Sequence, residues 1–329
     1  MKDMMIEYAA VLGSVFLFSV VLLRFLIPIL KSKKVGQKIL DIGPRWHKSK
    51  EGTPTMGGIA FIIAILVSVC VITVESVVNG TSRQLLPLAF TLGLATMNGL
   101  IGFIDDRCKL LKNENEGLKI YQKLLLQTAV AAVYLFAMNA VGYIDTMIRV
   151  PFTDIHLELG AFYYLFALIL IVGIVNGANF TDGLDGLASG VTAAIGIFFS
   201  VCAFSTGFRS LGIASACIVG ATLGFLVYNF NPARIFMGDT GSLFLGGMAV
   251  GCAFMMGEPL VIVICGIVYI IEILSDLIQI SVFRTTGKRV FKMAPIHHHF
   301  EKSGWSERVI FTVFSLASAV GCVIAWFSL

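Results

Sequence analysis

Ten stretches of about 20 apolar residues recur along this chain, each long enough to carry a helix across a bilayer core. They cover residues 6–30, 54–76, 84–104, 120–140, 160–178, 185–206, 209–228, 241–257, 259–283 and 307–328. Such a pattern predicts an all-α polytopic membrane protein with ten transmembrane helices in a single domain over residues 1–329. Composition points the same way: 13% of residues are charged, against about 25% in an average soluble domain. No polar stretch is long enough to fold as a soluble domain. The seven cysteines lie far apart with no CxxC spacing, so neither a disulfide framework nor a zinc site is expected.

Lysine and arginine placement sets the expected orientation. Segments 31–53, 105–123, 229–240 and 284–308 hold 19 of the 24 basic residues, whereas Lys2, Arg83, Arg149 and Arg209 fall on the other side and Arg24 lies within the first span. The positive-inside rule then puts those four segments in the cytoplasm and both termini outside. Basic residues follow the first span, which therefore reads as an anchor and not a cleaved signal. The outer segment 143–158 is expected to form a short hairpin.

Polar residues gather at the cytoplasmic ends of the spans. Asp105 and Asp106 close the third span, with Lys109 following and Lys123 opening the fourth. NGANFTDGLDGLA at 176–188 carries Asn176, Asn179, Asp182 and Asp185. YNFNPARIFMGDTGS at 228–242 carries Asn229, Phe236, Gly238, Asp239 and Ser242. HKSKEGTPTMGG at 47–58 adds Lys50 and Thr55, and APIHHHFEKSGW at 294–305 adds His297, His298 and His299. Five clusters on one membrane face suggest a single site. Asp185 fits a helix N-cap as well as a binding role. The aspartate pair fits a structural role less readily, because carboxylates near a helix C-terminus oppose its dipole. Consecutive histidines point about 100° apart on a helix, so they suit an anion contact or proton donor better than a metal.

Asp and Asn without cysteine suit a hard cation such as Mg²⁺. Carboxylates, Mg²⁺ and lysines together describe phosphoryl transfer, and no Walker motif or nucleophile triad competes. Glu272 and Asp276, at i and i+4 on the ninth span, share a helix face and stand outside this pattern.

GTPTMGG, DDRCK, NFTDGLDGLA, FMGDTGSLFLGG and APIHHHFEKSGW, in that order, resemble the polyprenyl-phosphate N-acetylhexosamine-1-phosphate transferases over essentially the whole chain. GTPTMGG and the triple histidine point to the phospho-N-acetylmuramoyl-pentapeptide branch. The resemblance implies transfer of phospho-N-acetylmuramoyl-pentapeptide from its UDP carrier to undecaprenyl phosphate, with Mg²⁺ required and UMP released. It also implies a homodimer in the plasma membrane, embedded in the lipid bilayer and without a nucleic-acid partner. By the same resemblance Asp105 is the base toward the lipid phosphate, Asp106 its neighbour in catalysis, and Asp239 the metal ligand with Asn179 as a second. Asn176, Asp182, Asn229, Phe236 and Gly238 fall in the nucleotide region, and Lys50 and Thr55 near the diphosphate. Lys123 is the weaker match, because LLKNENEGLKIYQ before it is longer than the family usually has. His297, His298 and His299 match a segment that either contacts phosphate or supports structure.

Two rivals remain at this stage. A sister transferase would use UDP-N-acetylglucosamine. A secondary transporter would hold its charges at mid-membrane, where Glu272 and Asp276 are the candidates.

Overall fold

The computed structural model describes residues 2–32, 50, 52–112 and 117–329. Most of the expected cytoplasmic loop 31–53, and residues 113–116 of the long segment before Lys123, lie outside the described residues. The helices in chain order are α1 (Lys2–Ser32), α2 (Gly58–Val78), α3 (Leu86–Lys112), α4 (Ile120–Ala140), α5 (Phe162–Thr181) and α6 (Leu187–Thr206). They continue as α7 (Arg209–Asn229), α8 (Gly238–Met255), α9 (Val261–Cys265), α10 (Ile267–Thr286), α11 (Ile296–Glu301) and α12 (Glu307–Phe327). The expected hairpin is present as β1 (Met147–Arg149) antiparallel to β2 (His156–Glu158).

Eight of the described helices, α1 to α7 and α12, are long and apolar enough to cross a membrane. Two further long helices, α8 and α10, match the eighth and ninth expected segments but are more polar. The reason in α8 is its first turn, Gly238-Asp239-Thr240-Gly241-Ser242. Every residue from Thr240 to Met255 is buried, so its neighbours are protein and not lipid, and it needs no outward apolar face. Glu272, Asp276 and Arg284 lower the apolar character of α10.

The ninth expected segment, 259–283, is not one continuous helix. It breaks at Gly266 into α9 and α10. Across the break α12 comes close enough that a Cβ on Gly321 would sit 2.7 Å from the Ile264 carbonyl. The Ser318 hydroxyl lies 3.3 Å from the Val191 carbonyl and 3.5 Å from the Cys265 carbonyl beside the break. Gly266 itself still bonds to both sides, its N–H donating to Ile262 and its carbonyl accepting from Ile270.

Small residues set the closest packing, as expected where apolar burial alone does not drive helix association. A Cβ on Gly247 of α8 would lie 2.8 Å from Ala95 Cα on α3, and one on Gly102 of α3 would overlap the Asp239 carbonyl. This seam presses the end of α3 onto the start of α8. Gly224 of α7 meets the Phe16 carbonyl of α1 in the same manner. The ends of α3, α5 and α7 and the starts of α4, α6, α8 and α12 gather at one end of the bundle, as the contacts below establish.

Candidate active site

The first N–H groups of any helix lack partners within it. For α8 a side chain from α3 supplies them. Asp106 Oδ1 accepts the Asp239 N–H at 3.1 Å, and Oδ2 accepts the Thr240 N–H at 3.0 Å and its hydroxyl at 2.7 Å. Gly238, just before, has φ +71°, and a Cβ there would collide with the Asp106 carboxylate. Both oxygens of Asp106 are therefore engaged in capping α8. The residue expected to act alongside Asp105 is first of all an anchor. Of the two readings open for Asp185, the N-cap is not realised: α6 begins after Gly186 with no side-chain cap.

With α8 fixed in this way, Asp239 lies beside the aspartate pair. Asp105, Asp106 and Asp239 offer oxygens all within 4.8 Å of one another. Lys109 Nζ lies 2.7 Å from Asp105 Oδ2, one turn along α3, and 3.2 Å from Asp239 Oδ2. Lys123 Nζ, from the first turn of α4, is 2.7 Å from that same Asp239 oxygen. Lys123 thus belongs to the site despite its unusual loop. Asp105 Oδ1 accepts the Leu118 N–H at 2.7 Å, which ties the end of that loop to the cluster. Burial alone pushes the Asp239 carboxyl up, but Lys123 and then Lys109 outweigh it and hold the group well below the usual carboxylate range. Asp182, just past the end of α5, goes the other way. Burial, then the charges of Asp239, Asp106 and Asp185, raise it well above that range.

Around this cluster, Asn179 donates its amide to Ser242 Oγ at 2.8 Å, and Ser242 donates to the Gly238 carbonyl. The Asn179 carbonyl oxygen is left as the atom suited to a cation. Asn176, one turn deeper, donates to Gln127 on α4 at 2.8 Å, so it braces α4 against α5. Phe236 exchanges backbone bonds with the GTPTMGG loop: its N–H donates to Pro54 and its carbonyl accepts from Gly57. That stitching brings Thr55 next to Gly238, with Thr55 Oγ1 3.0 Å from where a Cβ there would be.

Lys50, Asp185 and Asn229 form a neighbouring knot. Lys50 Nζ lies 2.7 Å from both Asp185 Oδ1 and Glu307 Oε2. Asp185 Oδ2 accepts from Asn231 Nδ2 and the Ala233 N–H. Asn229, buried, accepts from the Gly186 N–H and donates to the Ile235 carbonyl. These side chains tie the loop before α8 to the starts of α6 and α12. Glu307, Asn231 and Thr240 were not singled out from the sequence. An acid in the first turn of α12 is the one available signal for Glu307.

The three histidines part company. His297 is buried, its Nδ1 3.0 Å from Glu272 Oε2. His298 Nδ1 lies 2.9 Å from Glu301, and His299 Nδ1 accepts the Lys292 N–H at 3.1 Å. Each has its own protein partner, as three neighbours on a helical turn should.

The residues present fit a divalent cation. Three carboxylates face two ammonium groups, which leaves negative charge uncompensated, and the donors are hard oxygens of the kind Mg²⁺ takes. Asp239, whose two lysines both contact Oδ2, fits that role better than Asp105 or Asp106, each of which has both oxygens already engaged. The lysines at Asp239 Oδ2 stand where added positive charge is favoured.

The helical membrane bundle and its acid–lysine cluster fall in a chain whose residues 87–257 match the glycosyl transferase family 4 model, which places it in that class. Signature 1 of the phospho-N-acetylmuramoyl-pentapeptide-transferases matches residues 50–62. A phospho-N-acetylmuramoyl-pentapeptide-transferase from Clostridium botulinum (strain Eklund 17B / Type B) is 44% identical over 95% of this chain and 94% of its own length. Others of that name from Clostridium perfringens (strain 13 / Type A) and Clostridium novyi (strain NT) are 42% identical over 95% of this chain, covering 96% and 94% of theirs. The chain belongs to the phospho-N-acetylmuramoyl-pentapeptide-transferase family.

Proposed function

We propose that this protein transfers phospho-N-acetylmuramoyl-pentapeptide from its UDP carrier to undecaprenyl phosphate, giving the diphospho-linked lipid and UMP. The observation that carries the reading is the cluster of Asp105, Asp106 and Asp239 with Lys109 and Lys123 at one end of the bundle. An acceptor phosphate anchored in lipid reaches such a site from the membrane interface, and a nucleotide reaches it from water. Ten crossings, with α9 and α10 forming one of them, bring both termini to the same side; the basic-residue split supports that side being the outside, with the cluster at the cytoplasmic face of the plasma membrane. A homodimer is part of the proposal by family.

The lipid phosphate attacks the phosphorus next to the sugar, a P–O bond forms, and the bond to UMP breaks. A phosphate monoester has a second pKa of about 6 and is largely ionised near neutral pH, so it needs placement more than deprotonation. Lys109 gives that placement, held by Asp105, which the Leu118 N–H fixes and which stands by as an orienter or weak base. Lys109 and Lys123 offset charge on the diphosphate. Asp106 keeps the first turn of α8, and so Asp239, in register. Asp239 and the Asn179 carbonyl would hold Mg²⁺, which would supply Lewis-acid stabilisation when bound. Asp182, Phe236 and Thr55 border the nucleotide.

The test is UMP release from UDP-N-acetylmuramoyl-pentapeptide and from UDP-N-acetylglucosamine, each with and without undecaprenyl phosphate, with and without EDTA. Release is expected only from the muramoyl-pentapeptide donor, only with the lipid, and not in EDTA. Asp105→Asn is expected to lower turnover strongly while donor binding survives. A stoichiometric burst of UMP from donor alone, abolished by Asp105→Asn, would instead make the aspartate a nucleophile.

A further inference from the structure

Glu272 and His297 are almost fully enclosed, with side chains 0% and 1% exposed. One oxygen of Glu272 lies 3.0 Å from His297 Nδ1. Glu272 Oε1 and His297 Nε2 are buried without a hydrogen-bond partner. Buried polar atoms of this kind call for an explanation. The far edge of the imidazole lies over Gly183, where an added Cβ would overlap Nε2. The backbone at Gly183 is not in the left-handed region, so it is the histidine, and not the turn, that leaves no room for a side chain there. Gly183 follows Asp182 and precedes Asp185 in the loop joining α5 to α6.

We infer that Glu272 is a positioning residue: through His297 it sets the place of the Asp182–Asp185 loop, and thereby the fit of the nucleotide donor. This rests on the transferase reading. An ionised carboxylate only accepts, so the shared proton sits on Nδ1 and the ring is held in one orientation. Nε2 is then the edge that packs against Gly183. His297 is enclosed, so it acts on the loop from behind and does not meet the reacting atoms. The pair also joins α10 and α11 to the α5–α6 loop, elements far apart in sequence.

The experiment measures donor KM, kcat and direct UDP-donor binding for the full-length protein in detergent. Glu272→Ala is expected to weaken donor binding and raise KM by about tenfold or more, as a misplaced contact loop does, with kcat changed far less. Glu272→Gln, whose carbonyl oxygen also accepts the Nδ1–H, is expected to restore near wild-type values. Gly183→Ala is expected to reproduce the KM defect by displacing the ring. Gly183→Ala combined with His297→Ala is expected to be no worse than His297→Ala alone, since the clash is gone. A fall in kcat with unchanged donor binding, in Glu272→Ala or Glu272→Gln, overturns the proposal and places His297 at the chemistry. Additive defects in the double variant overturn it as well. Should Glu272→Ala fail to fold, Glu272→Gln and the glycine–histidine pair carry the test. Wild-type turnover of a different UDP-sugar would break the substrate reading, while the double-variant comparison would still report on the contact.

Discussion

At the end of the bundle opposite the acid cluster, Arg209 grips both oxygens of Glu7 and donates to Ser76. It ties the starts of α7 and α1 to the end of α2. Arg149 reaches Glu258 and the Ser328 carbonyl in a similar way. At the cluster's own end, two lysines serve three carboxylates. Arginine's planar fork matches one carboxylate in a fixed geometry, whereas an ammonium is a mobile point charge. The Arg209 pair is matched one to one and closes on itself. The lysine end is left with surplus negative charge on oxygens that a cation and a phosphate can share. One end is built to hold helices together, the other to exchange partners.

The largest effect expected from breaking this contrast is at Asp239. Asp239→Asn removes the acid on which both lysines converge, and with it the carboxylate proposed to hold Mg²⁺. Turnover should fall by at least about a hundredfold, and the melting temperature should fall too, because the two lysines lose the carboxylate that pairs them, even though the Asp239 backbone N–H still meets Asp106. UMP release unaffected by the substitution, or by EDTA, would remove Asp239 from the metal site.

The ends of the bundle also differ in how far they could be read from sequence. Apolar runs of bilayer length marked the helices, and the aspartate pair stood out by ending the third run. But α3 itself continues to Lys112, so the pair lies inside the helix and the expected conflict with a helix C-terminus is not what sets it apart. What Asp106 does was not legible, because the helix it caps lies 133 residues further on. The Lys50–Glu307 contact spans 257 residues and leaves no local pattern. The division between α9 and α10 falls at Gly266, which a hydropathy window does not separate from its apolar neighbours. Glu272 and Asp276 looked like one helical face, yet the partner of Glu272 is His297 on a different element.

A smaller effect is expected at the anchor. Asp106→Ala removes the acceptor for the Asp239 N–H, the Thr240 N–H and the Thr240 hydroxyl. Loss of a cap costs about 1–2 kcal/mol, so the melting temperature should drop and turnover with it, since Asp239 moves. Thr240→Val, which loses the hydroxyl alone, should lose less of both. If Asp106→Ala melts like wild type, the cap is not what holds α8 in register.

Asp182 offers a test of the surplus charge through pH. Its pKa is raised in the folded protein above an ordinary carboxylate value of about 4. From that value upward the unfolded chain has released a proton that the folded chain keeps, so folding stability falls as pH rises through the window. Asp182→Asn removes that fall. In EDTA, melts of the two proteins should diverge from pH 5 to pH 8, with the variant gaining at the higher pH. Parallel curves would show that neither burial nor the neighbouring acids raise Asp182.

The smallest effect should come from the opposite end. Arg209→Lys keeps the positive charge at Glu7 but loses the fork, including the bond to Ser76. The two side chains of the pair are 22% and 23% exposed, and partly exposed ion pairs contribute under about 1 kcal/mol. The expected result is a slight fall in melting temperature, with UMP release and donor KM unchanged. The same exchange in reverse, Lys123→Arg at the cluster, should behave differently: a rigid fork on Asp239 would compete with the cation and lower turnover without lowering stability. If Arg209→Lys costs activity, the two ends are coupled along α7, whose last residue, Asn229, bonds to Gly186 beside Asp185. The division of labour between them would then be wrong.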